Sequence, residues 1–375
     1  MSDRPEPDRI AGAPHPRDTK VLLGQSAAET DFLDAYSRGR LHHAWLITGP
    51  RGVGKATLAW KIARFLLAES SADEGGLFGD TPPKPTSLDV SDDHPVSHRL
   101  NALSEPRLYL VRRPFDEKKD RLRQEITVDE VRGLKNFFAL SATDGGRRVV
   151  IVDAADEMNT SAANALLKLL EEPPKDATLL LISHQPSGLL PTIRSRCRVL
   201  RLHPLSPTDM AEALEVAEVP VETDPAALAA LAAGSVGEAL RLINLGGIQT
   251  YQEIVSLFST APKLDRQRAL KLAESAVGKN AEPRFDLLLA LLDLFLARLA
   301  RAGVSGRPLA EAAPGEADMM ARLSPNPNAG RLWAELQQHL GARARHGKAV
   351  NLDPAALILD MVLKIDQTAA KTYAR

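Results

Sequence analysis

The sequence predicts an α/β domain with a parallel sheet around a phosphate-binding loop, followed by a small helical lid and an all-α C-terminal domain. Three observations carry this. A glycine-rich loop, Gly49-Pro50-Arg51-Gly52-Val53-Gly54-Lys55, lies between the apolar run 44–47 and a helical pattern at 58–67. Strand-like apolar runs then alternate with segments of helical period as far as about residue 201, which implies parallel strands covered by helices on both faces. Beyond Arg201 the chain becomes Ala/Leu-rich and helical throughout.

The elements follow in order. Residues 1–20 are polar and Pro-rich, the composition of a disordered tail rather than of a signal peptide. Helix, strand, phosphate loop and helix occupy 21–67. A stretch at 70–106, rich in Ser, Asp, Gly and Pro with Thr81-Pro82-Pro83-Lys84-Pro85 at its centre, reads as a surface insertion. A strand resumes at 108–111, and 126–140, with Val128, Val131, Leu134, Phe137 and Phe138 in step, is helical. The acidic strand 149–153, a helix at about 161–172 stopped by Pro173-Pro174, and a strand at 178–182 come next. Pro204-Leu205-Ser206-Pro207-Thr208 breaks the chain and starts a helix at Ser206-Pro207. Gly246-Gly247 marks the next boundary. The expected domains are 21–204, 205–246 and 247–375. The run 287–299 is so apolar that it must be buried, within its own domain or against a partner.

Bulk composition narrows the function classes. A chain of 375 residues accommodates two or three cores. Lys plus Arg number 47 against 48 Asp plus Glu, so overall charge does not predict nucleic-acid binding and any such contact is local. Cys197 is the only cysteine, which excludes an internal disulfide and a four-cysteine zinc site. No apolar run reaches the roughly 20 residues that cross a bilayer, so the expected location is the cytoplasm, with no membrane partner.

The candidate site follows from the loop. Gly49, Gly52, Val53 and Gly54 supply backbone N–H groups to phosphate oxygens, with Pro50 part of the same nucleotide-binding loop, the helix N-terminus adds positive potential, and Lys55 reaches the outer phosphates. Where a magnesium-binding hydroxyl belongs stands Ala56, with Thr57 one residue late. Asp153 ends the acidic strand, and the next residue, where related ATPases carry a glutamate that polarises water, is Ala154. The loop therefore reads as a nucleotide site, occupied or vestigial, without the groups that do chemistry. Asp153 either holds magnesium or caps the following loop. Ser183 stands where related ATPases place a polar sensor, and reads as a strand-end hydroxyl with a backbone partner. Cys197 reads as a small buried hydrophobe. The run Arg112, Arg113, Lys118, Lys119, Arg121, Arg123 is interleaved with Asp116, Glu117 and Asp120 and reads as a solvated face.

Asn164-Ala165-Leu166-Leu167-Lys168-Leu169-Leu170-Glu171-Glu172-Pro173-Pro174, followed by Thr192-Ile193-Arg194-Ser195-Arg196-Cys197, resembles the clamp-loader branch of the AAA+ ATPases. That branch includes the bacterial DNA polymerase III clamp-loader subunits and replication factor C. The resemblance runs by motif over about 22–244. Within the branch the pattern is similar to non-hydrolysing members rather than to the gamma/tau subunits, because Ala56, Ala154 and Gly237 replace three catalytic parts. Gly237, in Gly234-Ser235-Val236-Gly237-Glu238-Ala239-Leu240, stands where active subunits place an arginine that senses the γ-phosphate. Such members often carry a zinc module, but the cysteine-free insertion at 70–106 replaces it here, and no zinc is expected.

The resemblance implies a subunit of a hetero-oligomeric ring with gamma/tau and delta-type subunits, which loads the sliding clamp onto primed DNA as part of the polymerase III holoenzyme. It implies ATP or ADP with Mg2+ as the ligand, held weakly or as a vestige. Arg196 would act in trans as an arginine finger in a neighbour's ATP pocket, with Arg194 and Arg198 either solvated or in structural ion pairs. The rival reading is a free-standing AAA+ ATPase acting on DNA or protein, against which the three substitutions argue jointly. A small-molecule P-loop kinase would leave the helical C-terminal third unexplained.

Overall fold

The computed structural model describes residues 6–10, 13–72, 85–140, 146–219, 224–278, 281–306 and 310–373. It forms two compact units: Met1–Val219 with Gly234–Gly237, and Pro220–Ala233 with Glu238–Arg375. Residues 205–246 contribute to both.

In the first unit α1 (Ser26–Ser37) leads into β1 (Ala44–Thr48), the phosphate loop and α2 (Lys55–Ala72). Then come α3 (Pro95–Asn101), β2 (Leu108–Arg112), a small antiparallel hairpin of β3 (Phe115–Asp116) and β4 (Arg121–Leu122), and α4 (Val128–Leu140). β5 (Arg148–Asp153), α5 (Thr160–Glu171), β6 (Ala177–Ser183), α6 (Pro191–Arg194), β7 (Arg198–Arg201) and α7 (Pro207–Val216) follow. The sheet is five-stranded in the order β2-β5-β6-β1-β7, and each pairing is parallel. Every residue of β1 and β6 is buried, whereas β7 at the edge buries only Leu200, which is why the central strands read as unbroken apolar runs. The helix starts are capped as their sequences dictate: Asn159 accepts the Ala162 N–H at 2.9 Å and Ser206 the Asp209 N–H at 3.1 Å.

Two expectations change here. The described part of the supposed disordered tail is held in place: His15 is buried edge-on to Trp60, and Glu6 and Asp8 pair with Arg112 at 3.1 Å each, Glu6 also with Arg17 at 2.8 Å. Its polar residues lie opposite complementary charges, which sequence composition does not register. The second half of the 70–106 insertion is likewise packed, with Leu88, Val96 and Leu100 buried around α3; residues 73–84, with the Pro-rich centre, lie outside the described residues.

The second unit contains α8 (Pro225–Ala232), most of α9 (Val236–Asn244), α10 (Gly247–Phe258), α11 (Arg266–Glu274), α12 (Glu282–Ser305), α13 (Glu316–Leu323), α14 (Pro327–Ala349) and α15 (Pro354–Tyr373). The apolar run 287–299 lies on α12, and its Leu287, Leu288, Leu291, Leu292, Phe295, Leu296 and Leu299 are all buried inside this unit. Of the two fates open to it, the run takes the first. α12 and α14 cross so closely that a Cβ on Gly330 would stand 2.8 Å from the Ala300 carbonyl oxygen. An internal ion pair, Arg298 Nε to Glu316 at 2.7 Å, is completed by the Tyr251 hydroxyl and the Ala312 N–H, each donating to Glu316 at 2.6 Å. Its polar groups are thereby satisfied. Among the described residues no single helix is long and apolar enough to cross a membrane.

Candidate functional site

The carboxyl ends of the strands form one edge of the sheet. After β1 the chain turns through Gly49, Gly52 and Gly54, all at positive φ (+145°, +77° and +98°), conformations that glycine alone adopts without strain. Lys55 opens α2, is buried, and donates from Nζ to the carbonyls of Gly49, at 2.7 Å, and Pro50. Burial, partly offset by the Asp153 and Asp156 carboxylates, pulls its ammonium down to about 8. Ala56 and Thr57 follow in the first turn of α2. Gln25 braces the loop from behind, donating to Val53 O at 3.3 Å and His203 O at 2.7 Å.

The loop is clasped on its outer side. Gly237 N–H donates to Gly52 O at 3.1 Å, and the Ser235 hydroxyl donates to Arg51 O at 2.8 Å. A Cβ on Gly237 would lie 2.9 Å from Gly52 Cα and 2.8 Å from Ile10 Cδ1. The absence of an arginine at 237 is therefore matched by the packing: no side chain fits where the two glycines meet.

At the end of β5, burial and then the neighbouring Asp8 and Glu157 carboxylates push Asp153 up to about 7, against the opposing charges of Lys55 and Arg51. Ala154 is buried. Asp156 accepts the backbone N–H groups of His184 at 2.6 Å and Gln185 at 3.2 Å, tying the end of β6 to the turn after β5. Ser183 departs from expectation, since its hydroxyl is fully buried and has no hydrogen-bond partner among the described residues. The group that senses the loop's charges is the next one, His184, whose imidazole is held down to about 4 by burial and by Lys55 and Arg51. Its Nδ1 is buried without a hydrogen-bond partner among the described residues.

Arg196 occupies the opposite edge. It precedes β7, which runs parallel to β1 with Trp45 opposite Arg198 and Thr48 opposite Arg201, whereas the phosphate loop follows β1. At about 3.3 Å per residue, strands of this length separate the two edges by roughly 15 Å. Arg196 Nη1 donates to Thr192 O at 3.0 Å, and Nη2 pairs at 2.9 Å with Glu171, the last residue of α5. Arg198 lies over the buried Trp45 ring at 4.9 Å, a structural role through cation–π contact, while Arg194 is exposed. Burial pushes the Cys197 thiol up to about 12, so it packs rather than reacts. In the basic run, Arg113 pairs with Glu157 at 2.7 Å and Arg112 with the N-terminal segment, while Lys118, Lys119, Arg121 and Arg123 are exposed.

The donor set fits phosphate and does not fit a protein-held metal. Glycine backbone, a helix N-terminus and Lys55 form an anion cradle. Ala56 offers no oxygen, and among the described residues no three His, Cys, Asp or Glu side chains are placed to hold a metal. Sequence reading missed Gln25, Asp8, Asp156, His184 and Glu171. His184 left a signal as the first polar residue beyond the strand whose end Ser183 occupies, and Glu171 stands in the quoted motif; the contacts they and the others make join positions far apart in the chain.

A parallel sheet in this order, with a phosphate loop after the strand next to one edge and an acidic end on the strand two places away, defines a P-loop domain of the AAA+ class. A family model described as DNA polymerase III, delta subunit, matches residues 24–206. Among relatives, DNA polymerase III subunit delta' of Pseudomonas aeruginosa is 39% identical over 241 residues, 64% of this chain and 66% of that one. The delta' subunit of Bacillus subtilis is 31% identical over 56% of each chain. The tau subunit of Escherichia coli is 28% identical over 70% of this chain and 38% of its own length. The chain belongs to the DNA polymerase III delta-prime family, and it spans between about half and just under two thirds of the delta' relatives it matches.

Proposed function

We propose that this chain is a clamp-loader subunit that keeps a phosphate-binding loop, does not hydrolyse ATP, and lends Arg196 to the ATP pocket of a neighbouring gamma/tau-type subunit. The observation that carries the reading is the placement of Arg196 on the edge of the sheet opposite its own phosphate loop. From there it cannot reach phosphates held by Lys55, so any phosphate its guanidinium serves belongs to another molecule. Phosphoryl transfer builds charge on the transferring group, and an arginine supplied from outside the pocket raises the rate by about 10³–10⁵. A planar guanidinium suits the task because it remains charged and pairs bidentately with phosphate oxygens.

In this reading the domains are a P-loop α/β domain at 21–204, a helical lid at 205–246 and a collar at 247–375 that joins the ring. ATP or ADP binds the loop through Lys55 and the backbone of Gly49, Gly52 and Gly54. No catalytic step is assigned to Mg2+ here, since the hydroxyl it needs is absent at Ala56. Gamma/tau and delta-type subunits are the direct partners, and the sliding clamp and primed DNA are met through the complex. Because 287–299 is buried within its own unit, other faces of the helical region make the collar contacts.

The test is steady-state ATP hydrolysis by the isolated chain, with nucleotide binding followed in parallel. The expected result is no turnover above background. Turnover at the rate of an active ATPase, abolished by Lys55→Ala, would overturn the reading in favour of a free-standing ATPase.

A further inference from the structure

Glu171 is the last residue of α5, where the carbonyl end of the helix dipole makes a carboxylate unfavourable on its own account. A cation at the same place is favoured, and the cation there is Arg196, paired with Glu171 at 2.9 Å and anchored a second time on the Thr192 carbonyl at 3.0 Å. Arginine has five N–H donors, and these two contacts direct its fork toward its own chain. The side chains of Arg196 and Glu171 are 36% and 50% exposed, so the pair is reachable by another molecule and held only as strongly as a surface ion pair is. The Ser195 hydroxyl donates to the same Thr192 carbonyl at 3.1 Å, so the turn carrying Arg196 is fixed while its guanidinium stays displaceable.

We propose that Glu171 is a positioning residue that holds the Arg196 guanidinium in cis and competes with the anionic phosphates of a neighbouring subunit for it. This rests on the reading of Arg196 as a trans-acting group. The physical logic is a competition between two anions for one fork. A single carboxylate in a solvent-screened setting wins while no triphosphate is near, and a desolvated phosphate group with more charge and several acceptor oxygens wins when the neighbour's pocket closes on it. The latch keeps the arginine out of a pocket that is not yet assembled, so its signature is a low rate before stimulation rather than a low maximal rate.

The experiment uses the reconstituted complex with gamma/tau and delta-type subunits, and measures ATP hydrolysis with and without clamp and primed DNA. Five forms are compared: wild type, Glu171→Gln, Glu171→Ala, Arg196→Ala and the Glu171→Gln/Arg196→Ala double variant, with assembly checked by size-exclusion chromatography. Glu171→Gln should raise the unstimulated rate by about 2- to 5-fold, the range of an exposed ion pair, and change the stimulated rate less. In the Arg196→Ala background the same substitution should do nothing, because its effect runs through Arg196. Glu171→Ala should behave as Glu171→Gln does, separating the lost charge from any new amide contact. An unchanged unstimulated rate in Glu171→Gln, or an equal change with Arg196 absent, overturns the latch and leaves the trans role of Arg196 standing. If Arg196→Ala itself has no effect on any rate, the trans role falls and the latch falls with it.

Discussion

The phosphate loop and the Arg196 turn sit on opposite edges of one sheet and place their cations under contrasting conditions. Lys55 is buried, bonded to its own loop, and pulled down to about 8; Arg196 is one-third exposed and held by one carboxylate and one carbonyl. The loop is built into the fold from both sides, by Gln25 behind and by Gly237 and Ser235 in front. The Arg196 turn is held by Ile193 in the core, by the Ser195 hydroxyl on the Thr192 carbonyl and by the Trp45-covering Arg198. The difference teaches that substitutions in the loop act mainly on folding, and substitutions at the turn act mainly on whatever docks there.

The largest effect on the folded chain is expected at the clasp. Gly52→Val forces a β-branched residue to φ +77° and drives a Cβ to 2.9 Å from Gly237 N, which should destabilise by about 3 kcal/mol. Gly39→Ala is the control, with a comparable φ of +64° and nothing within 4 Å; it should cost only the left-handed penalty of about 1 kcal/mol. Denaturant titrations of both variants compare the clasp with open space. Equal losses would mean that the contact between Gly52 and Gly237 contributes nothing.

A second effect is pH-dependent. Asp153 ionises near 7 in the fold and near 4 in an unfolded chain, so the folded state resists its ionisation. The wild type should therefore lose stability from this group as pH rises from about 4 to 7, with the loss complete above that. Asp153→Asn should abolish that part of the slope, measured as the midpoint difference between wild type and variant across the range. A constant difference from pH 4 to 8 would remove the buried-carboxylate account.

At the turn the effects on folding should be small. Arg196→Ala should change the stability of the isolated chain by no more than about 1 kcal/mol, read by the same titrations. Cys197, with its thiol held up to about 12, should be alkylated at pH 8 far more slowly than a free thiol and at a rate that follows unfolding. Rapid labelling of the native chain would place the thiol in solvent.

The central strands were legible because they are buried on both faces and written as continuous apolar runs, and the loop because glycine and lysine spacing is a local pattern; the edge strand β7, which buries only Leu200, left no such run. The α7 start was legible, like the loop, as a local pattern, through Ser206-Pro207. What was not legible depends on residues brought together by the fold. The N-terminal segment reads as a tail until Arg112 is seen beside Glu6 and Asp8. Gly237 reads as a lost arginine until Gly52 is found against it. Ser183 and His184 are neighbours in sequence, and only the direction in which each side chain leaves the strand end separates the buried hydroxyl from the imidazole beside Lys55.

The central claim is that Arg196 serves a pocket on another subunit, and the direct measurement is ATP hydrolysis by the reconstituted complex, stimulated by clamp and primed DNA, with wild type, Arg196→Ala and Arg196→Lys. Both variants should assemble normally. Arg196→Ala should silence the one pocket it serves by up to about 10³-fold or more, leaving the activity of the remaining pockets, and Arg196→Lys should rescue poorly because it lacks the bidentate fork. Full hydrolysis and clamp loading in both variants would contradict the claim and make this chain a structural member of the ring.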